Sequence, residues 1–309
     1  MLSELKKYPF IIFPVIIFII YMINPMNVFV IGNELSFYSI LLSCIIIELF
    51  IQKAKNGEEI YMRPIPAMKA MEEAVGRATE MGSSVLYVPG ISGLDEIDTI
   101  SGVIILGHIA GMTAEYESNL HVPCCVPIVM EAAKESCKEA YLKKGRPDLY
   151  NENMVHYVTD DQFAYAAGVN GIMLREKPAA VFYQGKFYAE SLLLAETGSS
   201  VGAIQIAGTG SSSQIPFFVT ACDYVLIGEE FYAASAYLSG SPEMIGSIKG
   251  QDYVKLLCMF FIGLVVLISL MNFLGFVNFA LVLILGFIGF VAYALATIDL
   301  SEKFGDSIK

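Results

Sequence analysis

A run of 43 residues without a charged side chain, from Leu256 to Ile298, is the feature that most restricts how this chain folds. The amino-terminal end is similar, because Glu34 and Glu48 are the only charged residues between Tyr8 and Gln52. A core helix of a water-soluble domain does not need so long an uncharged run, whereas two membrane crossings of about 20 residues each do. The sequence therefore predicts membrane-spanning helices at both ends of the chain.

Four spans are predicted, two at each end. They cover about Tyr8 to Met26, Ser36 to Phe50, Leu256 to Phe273 and Val277 to Thr297. Glu48 lies in the second span and has two interpretations. It is either a carboxylate at the level of the lipid headgroups or an intramembrane carboxylate that faces another helix.

The positions of lysine and arginine predict the orientation. The turn inside each pair of spans, Asn24 to Leu35 and Met271 to Phe276, contains neither residue type. The outer ends of the pairs are flanked by Lys6, Lys7, Lys53, Lys55, Lys249, Lys255, Lys303 and Lys309. The positive-inside rule then places both termini and the central segment in the cytoplasm, in a multi-pass protein of the plasma membrane. Six scattered cysteines without a C-x-x-C pair agree with a reducing compartment.

The central segment predicts an α/β domain, because short apolar runs alternate with helical stretches. The five predicted strands are Val85 to Val88, Leu120 to Val122, Val155 to Thr159, Ala179 to Tyr183 and Ala203 to Ala207. The pattern is typical of a Rossmann-like open parallel five-stranded sheet with helices on both faces, inserted between two pairs of transmembrane helices. The last helix is expected from Gln214 to Leu238, in two pieces.

Three regions follow from this organisation. Residues 1–55 form two transmembrane helices, residues 56–252 form the cytoplasmic Rossmann-like domain, and residues 253–309 form two further transmembrane helices and a short cytoplasmic tail. The spans have membrane lipid as their partner. From Glu58 to Asp252 the chain has 25 acidic and 12 basic residues. Such an acidic domain is not expected to bind nucleic acid, since phosphate contacts need lysine and arginine.

Open parallel sheets bind ligands at the carboxyl ends of their strands, so the loops there are the candidate site. The Gly/Ser turn after the fifth strand, Gly208 to Ser213, offers backbone N–H groups and hydroxyls to an anion. Its spacing is not that of a P-loop or of G-x-G-x-x-G, so a tight turn with serine caps is the alternative. The candidate ligand-binding residues are Gly90, Ser92, Asp160, Asp161, Gly208, Thr209, Gly210, Ser211 and Ser212.

The chemistry of the strand-end loops stays open at this point. One aspartate of the pair Asp160-Asp161 is expected to cap the following helix, while the other could hold a metal or a ribose hydroxyl. The three histidines show no metal-ligand spacing, and no nucleophile motif is present. The vicinal cysteines Cys124 and Cys125 are expected to be buried apolar residues rather than a redox or metal site. The sequence names no catalytic residue and no cofactor.

Five stretches carry a resemblance to a known family. They are RPIPAMKAMEEAVGRATEMG, VLYVPGISGL, YVTDDQFAYAAGVNGIMLREKPAA, YAESLLLAETG and QIPFFVTACDYVLIGEEFYAASAYLSG. Together they resemble a prokaryotic membrane-protein family known only as a domain of unknown function. The likeness covers roughly Arg63 to Asp252 and the flanking spans. It implies a membrane-tethered cytoplasmic α/β domain and brings no catalytic residues with it.

Two classes of function remain after these observations. Two stretches rich in small residues, Ala164 to Gly168 with Gly171 and Tyr232 to Tyr237, favour close helix approach between copies, with packing against the chain's own sheet as the alternative. The sequence favours a homo-oligomeric scaffold or sensor, with or without a small anionic ligand at the strand-end loops. The alternative is a membrane-tethered enzyme that acts on a nucleotide or another phosphorylated small molecule.

Overall fold

The structure is a computed structural model that describes residues 34–57, 60 and 65–273. The first and fourth predicted spans, Tyr8 to Met26 and Val277 to Thr297, lie outside these residues. The chain divides into two compact units. One comprises Met1–Arg63 with Ser241–Lys309, and the other comprises Pro64–Gly240.

Nine helices and six strands are assigned in the described residues. The helices are α1 (Glu34–Lys55), α2 (Pro66–Glu80), α3 (Ile97–Glu115), α4 (Pro127–Lys143), α5 (Gln162–Glu176), α6 (Glu190–Ser200), α7 (Ile215–Ala221), α8 (Glu229–Ser239) and α9 (Pro242–Phe273). The strands are β1 (Val85–Val88), β2 (Leu120–Cys124), β3 (Val155–Tyr157), β4 (Ala180–Gln184), β5 (Ile204–Thr209) and β6 (Tyr224–Ile227). Two short 3₁₀ turns, Pro147–Leu149 and Glu152–Met154, precede β3.

The first unit contains α1 and α9, which pack closely along glycines of α9. A Cβ added at Gly246 would lie 2.5 Å from the Cα of Ile51, and one added at Gly250 would lie 2.6 Å from the Cα of Ile47. Glu48 is buried and accepts a hydrogen bond from Gln52 Nε2 at 2.9 Å. Such burial is what the second interpretation of Glu48, an intramembrane carboxylate that faces another helix, requires.

Two of the described helices are long and apolar enough to cross a membrane. One is α3, which is largely buried in the α/β unit and is therefore a core helix. The other runs from Pro242 to Leu270 in α9, contains most of the predicted third span, and exposes its apolar side chains. The predicted second span lies within α1. The arrangement in two pairs of spans remains a prediction.

The second unit is an α/β domain with a parallel six-stranded sheet in the order β3-β2-β1-β4-β5-β6. This is the doubly wound order, with its switch point between β1 and β4. The predicted sheet of five strands is one strand short, because the predicted last helix, Gln214 to Leu238, includes β6. A four-residue apolar run has no periodicity that separates a strand from a buried helix. Asp223 and Gly228 bound this run, and Gly228 has a φ of 57°.

The sheet separates two hydrophobic cores. On the side called face A here, α2, α3, α4 and α8 pack around Tyr87 and Phe182. On the opposite side, face B, α5, α6 and α7 pack around Tyr183 and Phe218. Each fully buried large side chain contributes about 1.5 to 3 kcal/mol relative to exposure.

Candidate functional site

Buried polar side chains concentrate at the carboxyl edge of the sheet. Those at or just beyond the strand ends are Asp98, Thr99, Gln184, Glu190, Ser191, Thr209 and Gln214. A buried polar group is costly unless it is hydrogen-bonded, so each of these side chains needs a structural partner or a function.

The loops at the switch point are joined to each other. The Ile91 N–H donates to the Lys186 carbonyl at 3.1 Å, and Lys186 Nζ lies 2.6 Å from Glu96 Oε1. Gly90 has a φ of 81°, and a Cβ there would lie 2.5 Å from the Lys186 carbonyl oxygen. Gly90 is therefore needed for this close contact, and the predicted site residue Ser92 lies in the same loop.

The Gly/Ser turn after β5 is occupied by a carboxylate of the same chain. The Gly210 N–H donates to Asp98 Oδ2 at 3.2 Å, and the Tyr232 hydroxyl donates to Asp98 Oδ1. The Ser211 N–H donates to the Thr209 hydroxyl at 3.2 Å, while Ser212 is exposed. Burial, and then the bond to Asp98, raise the pKa of Tyr232. An acidic group thus stands where the sequence predicted an anion.

Asp98 was not among the predicted site residues, although one signal was present. It is the only charged residue of α3 before Glu115 at the end of the helix. An acid in the first turn is common, because the positive end of the helix dipole favours a carboxylate, so this signal does not identify a partner. The fold provides that partner from β5 and α8, which are distant in sequence.

Gly208, another predicted residue, is closed off by its neighbours. A Cβ there would clash with Gln184 Oε1 and with the ring of Phe231. Gln184 donates from Nε2 to the Ile206 carbonyl at 3.0 Å, while its buried Oε1 has no hydrogen-bond partner among the described residues. The strand end therefore offers no room beside Gly208.

The aspartate pair lies away from the Gly/Ser turn. Asp161 caps α5, since the Ala164 N–H donates to Asp161 Oδ1 at 2.8 Å, which confirms the predicted cap. Asp160 is exposed. Strand β3 is four positions from β5 in the sheet, which corresponds to about 19 Å at 4.8 Å per strand. The two predicted groups of residues do not form one site.

Glu190 provides a second buried carboxylate at this edge, on face B. It accepts hydrogen bonds from the Tyr188 N–H at 2.9 Å and from Gln162 Nε2 at 2.5 Å. Next to it, the Ser191 hydroxyl donates to Gln214 Oε1 at 2.8 Å. These contacts connect the start of α6 with the start of α5 and with the residue before α7. The role of Glu190 and Ser191 is therefore structural.

The vicinal cysteines are buried, as predicted. Burial is the main cause that raises the pKa of the Cys124 thiol to about 12 and that of Cys125 to about 11, so both are neutral thiols near pH 7. No group of three histidine, cysteine or acidic side chains able to hold a metal occurs in the described part of the chain.

The two small-residue stretches differ in what they contact. In α8, Ala234, Ser235 and Ala236 are buried in the domain's own core. In α5, Tyr165 and Ala166 are buried against the sheet, whereas Ala164 and Ala167 are exposed. Packing within the chain explains the stretch in α8, but it explains only one side of the stretch in α5.

Comparison with known families matches residues 24–280 to the family described as a domain of unknown function, DUF6754. This chain belongs to the DUF6754 family. The match covers the α/β domain together with α1 and α9 of the helical unit. Searches of curated proteins and of solved structures found no match. Membership of DUF6754 agrees with the resemblance seen in the sequence and assigns no chemistry to the carboxyl edge.

Proposed function

We propose that this protein is a membrane-anchored scaffold whose cytoplasmic α/β domain assembles with further copies of itself through face B. The observation that carries the proposal is the composition of α5. This helix has no charged residue from Gln162 to Leu174, although only one side of it faces the domain's own sheet. Apart from Gln162 and Asn170, its residues up to Leu174 are apolar or aromatic side chains and glycines, which is more apolar surface than packing on one sheet face requires.

The exposed side of α5 forms an uncharged surface, called the α5 ridge here, that is apolar apart from the half-buried Asn170. It consists of Phe163, Ala164, Ala167 and Leu174, with Phe163 and Leu174 exposing 57% and 58% of their surface. The spacing of these residues places them on one side of the helix. Leu193 on α6 and Val219 on α7 extend the apolar surface across face B.

The distribution of charge favours a second copy as the partner. Helices α2 and α4 on face A contain five and six charged residues, respectively. On face B, α7 contains none, α5 has only Arg175 and Glu176 in its last turn, and α6 has one exposed charged residue, Glu196. Two copies of a strongly acidic domain repel each other least where their surfaces are uncharged. Anchoring in one membrane also raises the effective concentration of copies toward each other.

The carboxyl edge supports a scaffold more than an enzyme. The Gly210 N–H that an anion would use is bound to Asp98, and the loops after β1 and β4 are bound to each other. A ligand phosphate there would be repelled by the Asp98 carboxylate. Binding of a small anion at Gly90, Ser92 and Gly208 to Ser212 therefore remains the second candidate function, and it would require Asp98 to move.

The test is native mass spectrometry of the full chain in detergent over a wide concentration range. We expect the wild type to be oligomeric and Leu174→Glu to be monomeric, because a charge on the α5 ridge would be buried without a partner. Met81→Glu is the matched control, since Met81 is 64% exposed and follows α2. A monomeric wild type, or a Leu174→Glu variant as oligomeric as the control, would contradict the proposal.

A further inference from the structure

A cavity of about 380 Å³ lies on face A, between α3, α4 and the end of α8. Its volume falls within the range of about 300 to 1,000 Å³ that is usual for small-molecule sites. Helices α4 and α8 begin at the carboxyl edge and contribute their last turns to the cavity, so it lies away from the strand-end loops. None of the residues of the α5 ridge or of the Gly/Ser turn lines it.

The lining of this cavity combines apolar and polar side chains. Met112, Ala140 and Leu238 belong to the core of face A or pack against it. The polar side chains of the lining are His108, Ser136, Glu139, Lys143, Lys144 and Ser239. Such a lining suits a ligand that has a short apolar part and a charged or polar group.

Gly111 adds to the space in the cavity. A glycine inside a helix is destabilising relative to alanine, so its presence needs a reason. A Cβ at Gly111 would lie 3.6 Å from Lys144 Cε, which is an ordinary contact with a flexible side chain. The packing of α3 therefore does not require a glycine here, whereas the size of the cavity that Gly111 lines does depend on it.

His108 provides a group that can bind a ligand. Its imidazole is half-buried in the cavity lining and forms no hydrogen bond with any residue that the structure describes. Burial is the main cause that lowers the pKa of His108, so the imidazole is neutral near pH 7. A neutral imidazole offers one N–H donor and one acceptor nitrogen.

Two lysines at the cavity indicate the charge of the ligand. Lys143 Nζ lies 2.8 Å from Glu139 Oε1, and Lys144 Nζ lies 2.6 Å from Glu115 Oε2. Both pairs are exposed, and exposed ion pairs contribute little to stability, so a ligand anion can replace a carboxylate at low cost. The lysines already bind carboxylates of this chain, which is the chemistry that they would offer to a ligand.

We propose that this cavity binds a small organic anion that has a short apolar part. Lys143 and Lys144 bind the anionic group, and His108 forms a hydrogen bond with a polar atom of the ligand. The apolar part lies against Met112 and Leu238. This site is separate from the surface proposed for self-assembly, so either proposal can fail without the other.

The test uses the fact that the chain has three histidines, His108, His121 and His156. The full chain is prepared in detergent with ¹³C-labelled imidazole rings, and the His108→Gln variant identifies the NMR signal of His108. Benzoate is the probe, while benzyl alcohol and benzylamine keep the ring and replace the anion by a neutral or a cationic group. We expect benzoate to shift the His108 signal saturably, benzyl alcohol to do so only at higher concentration, and benzylamine to leave it unchanged.

Two variants connect the shift with the cavity. We expect Lys143→Gln to weaken benzoate binding about five-fold, the upper end for an exposed ion pair. Lys138→Gln is the matched control, since Lys138 is exposed on the same helix and does not line the cavity. Gly111→Leu fills the cavity and is expected to abolish the shift, while unchanged signals of the histidines on β2 and β3 show that the domain is folded.

Several outcomes would overturn the inference. One is a His108 signal that benzoate does not shift, or that benzylamine shifts as much as benzoate does. Another is a Lys143→Gln variant that binds benzoate as tightly as Lys138→Gln, and this comparison decides if Gly111→Leu does not fold. A folded Gly111→Leu variant that still binds benzoate is the third. None of these results depends on the number of copies, whereas a monomeric wild type contradicts only the proposed scaffold.

Discussion

Asp98 and Tyr232 are the residues that most distinguish the carboxyl edge of this domain from an open ligand site. The Asp98 carboxylate accepts hydrogen bonds from the Tyr232 hydroxyl and from the Gly210 N–H, so three elements are connected at one point. Hydrogen bonds to charged groups contribute more to stability than those between neutral groups. The contact therefore fixes the turn after β5 relative to α3 and α8.

We expect Tyr232→Phe to lower the free energy of unfolding by about 1.5 kcal/mol, the low end for a bond to a charged group, because Tyr232 is half-buried. This corresponds to a decrease in Tm of about 3 to 6 °C for a domain of this size. Differential scanning fluorimetry of the full chain in detergent measures it. Tyr237→Phe on the same helix is the control, since Tyr237 is 56% exposed. Equal Tm values for the two variants would show that the bond to Asp98 contributes nothing.

At the scale of elements, the turn after β5 distinguishes the two candidate functions, a scaffold and a protein that binds a small anion. If this turn binds an anion, the negative charge of Asp98 opposes it. We expect inorganic phosphate to raise the Tm of Asp98→Asn more than that of the wild type, because the substitution removes the charge and keeps the shape. Each Tm shift is measured against the same protein without phosphate. A larger shift in the wild type than in Asp98→Asn would contradict the assignment of Asp98 as a competing group.

Most elements of the domain could be predicted from the sequence because their boundaries have strong local signals. The sequence marks both ends of helix α5, since Asp161 caps its start and Pro178 follows its end. Strand β6 was missed because its four residues carry no periodicity. The strand order could not be predicted, since it depends on which crossover passes over which face.

The site was predicted less well than the fold, for a related reason. Glycines and serines at strand ends were recognisable, whereas the group that binds them was not. Asp98 lies 112 positions before Gly210 in the chain. Only the packing of α3 over the sheet, where a Cβ at Gly102 would lie 2.5 Å from the Gln184 carbonyl oxygen, brings the carboxylate to the turn.

For the whole molecule, the lysines that flank the predicted spans predict the orientation in the membrane. We expect a cysteine at position 34 (Glu34→Cys) to react with a membrane-impermeant thiol reagent in intact cells, and one at position 152 (Glu152→Cys) to react only after lysis. Glu152 lies in the α/β domain, before β3. Native cysteines are replaced first, because Cys44 and Cys258 are exposed in the described helices. The reverse labelling pattern would place the domain outside the cell.

Self-assembly through the α5 ridge is the central claim, and counting copies in a lipid membrane tests it most directly. Fluorescently labelled full chain is reconstituted into vesicles at a high ratio of lipid to protein, and photobleaching steps are counted for each spot. We predict several steps per spot for the wild type and for Met81→Glu, and a single step for Leu174→Glu. Single steps for the wild type, or several steps for Leu174→Glu, would contradict the account.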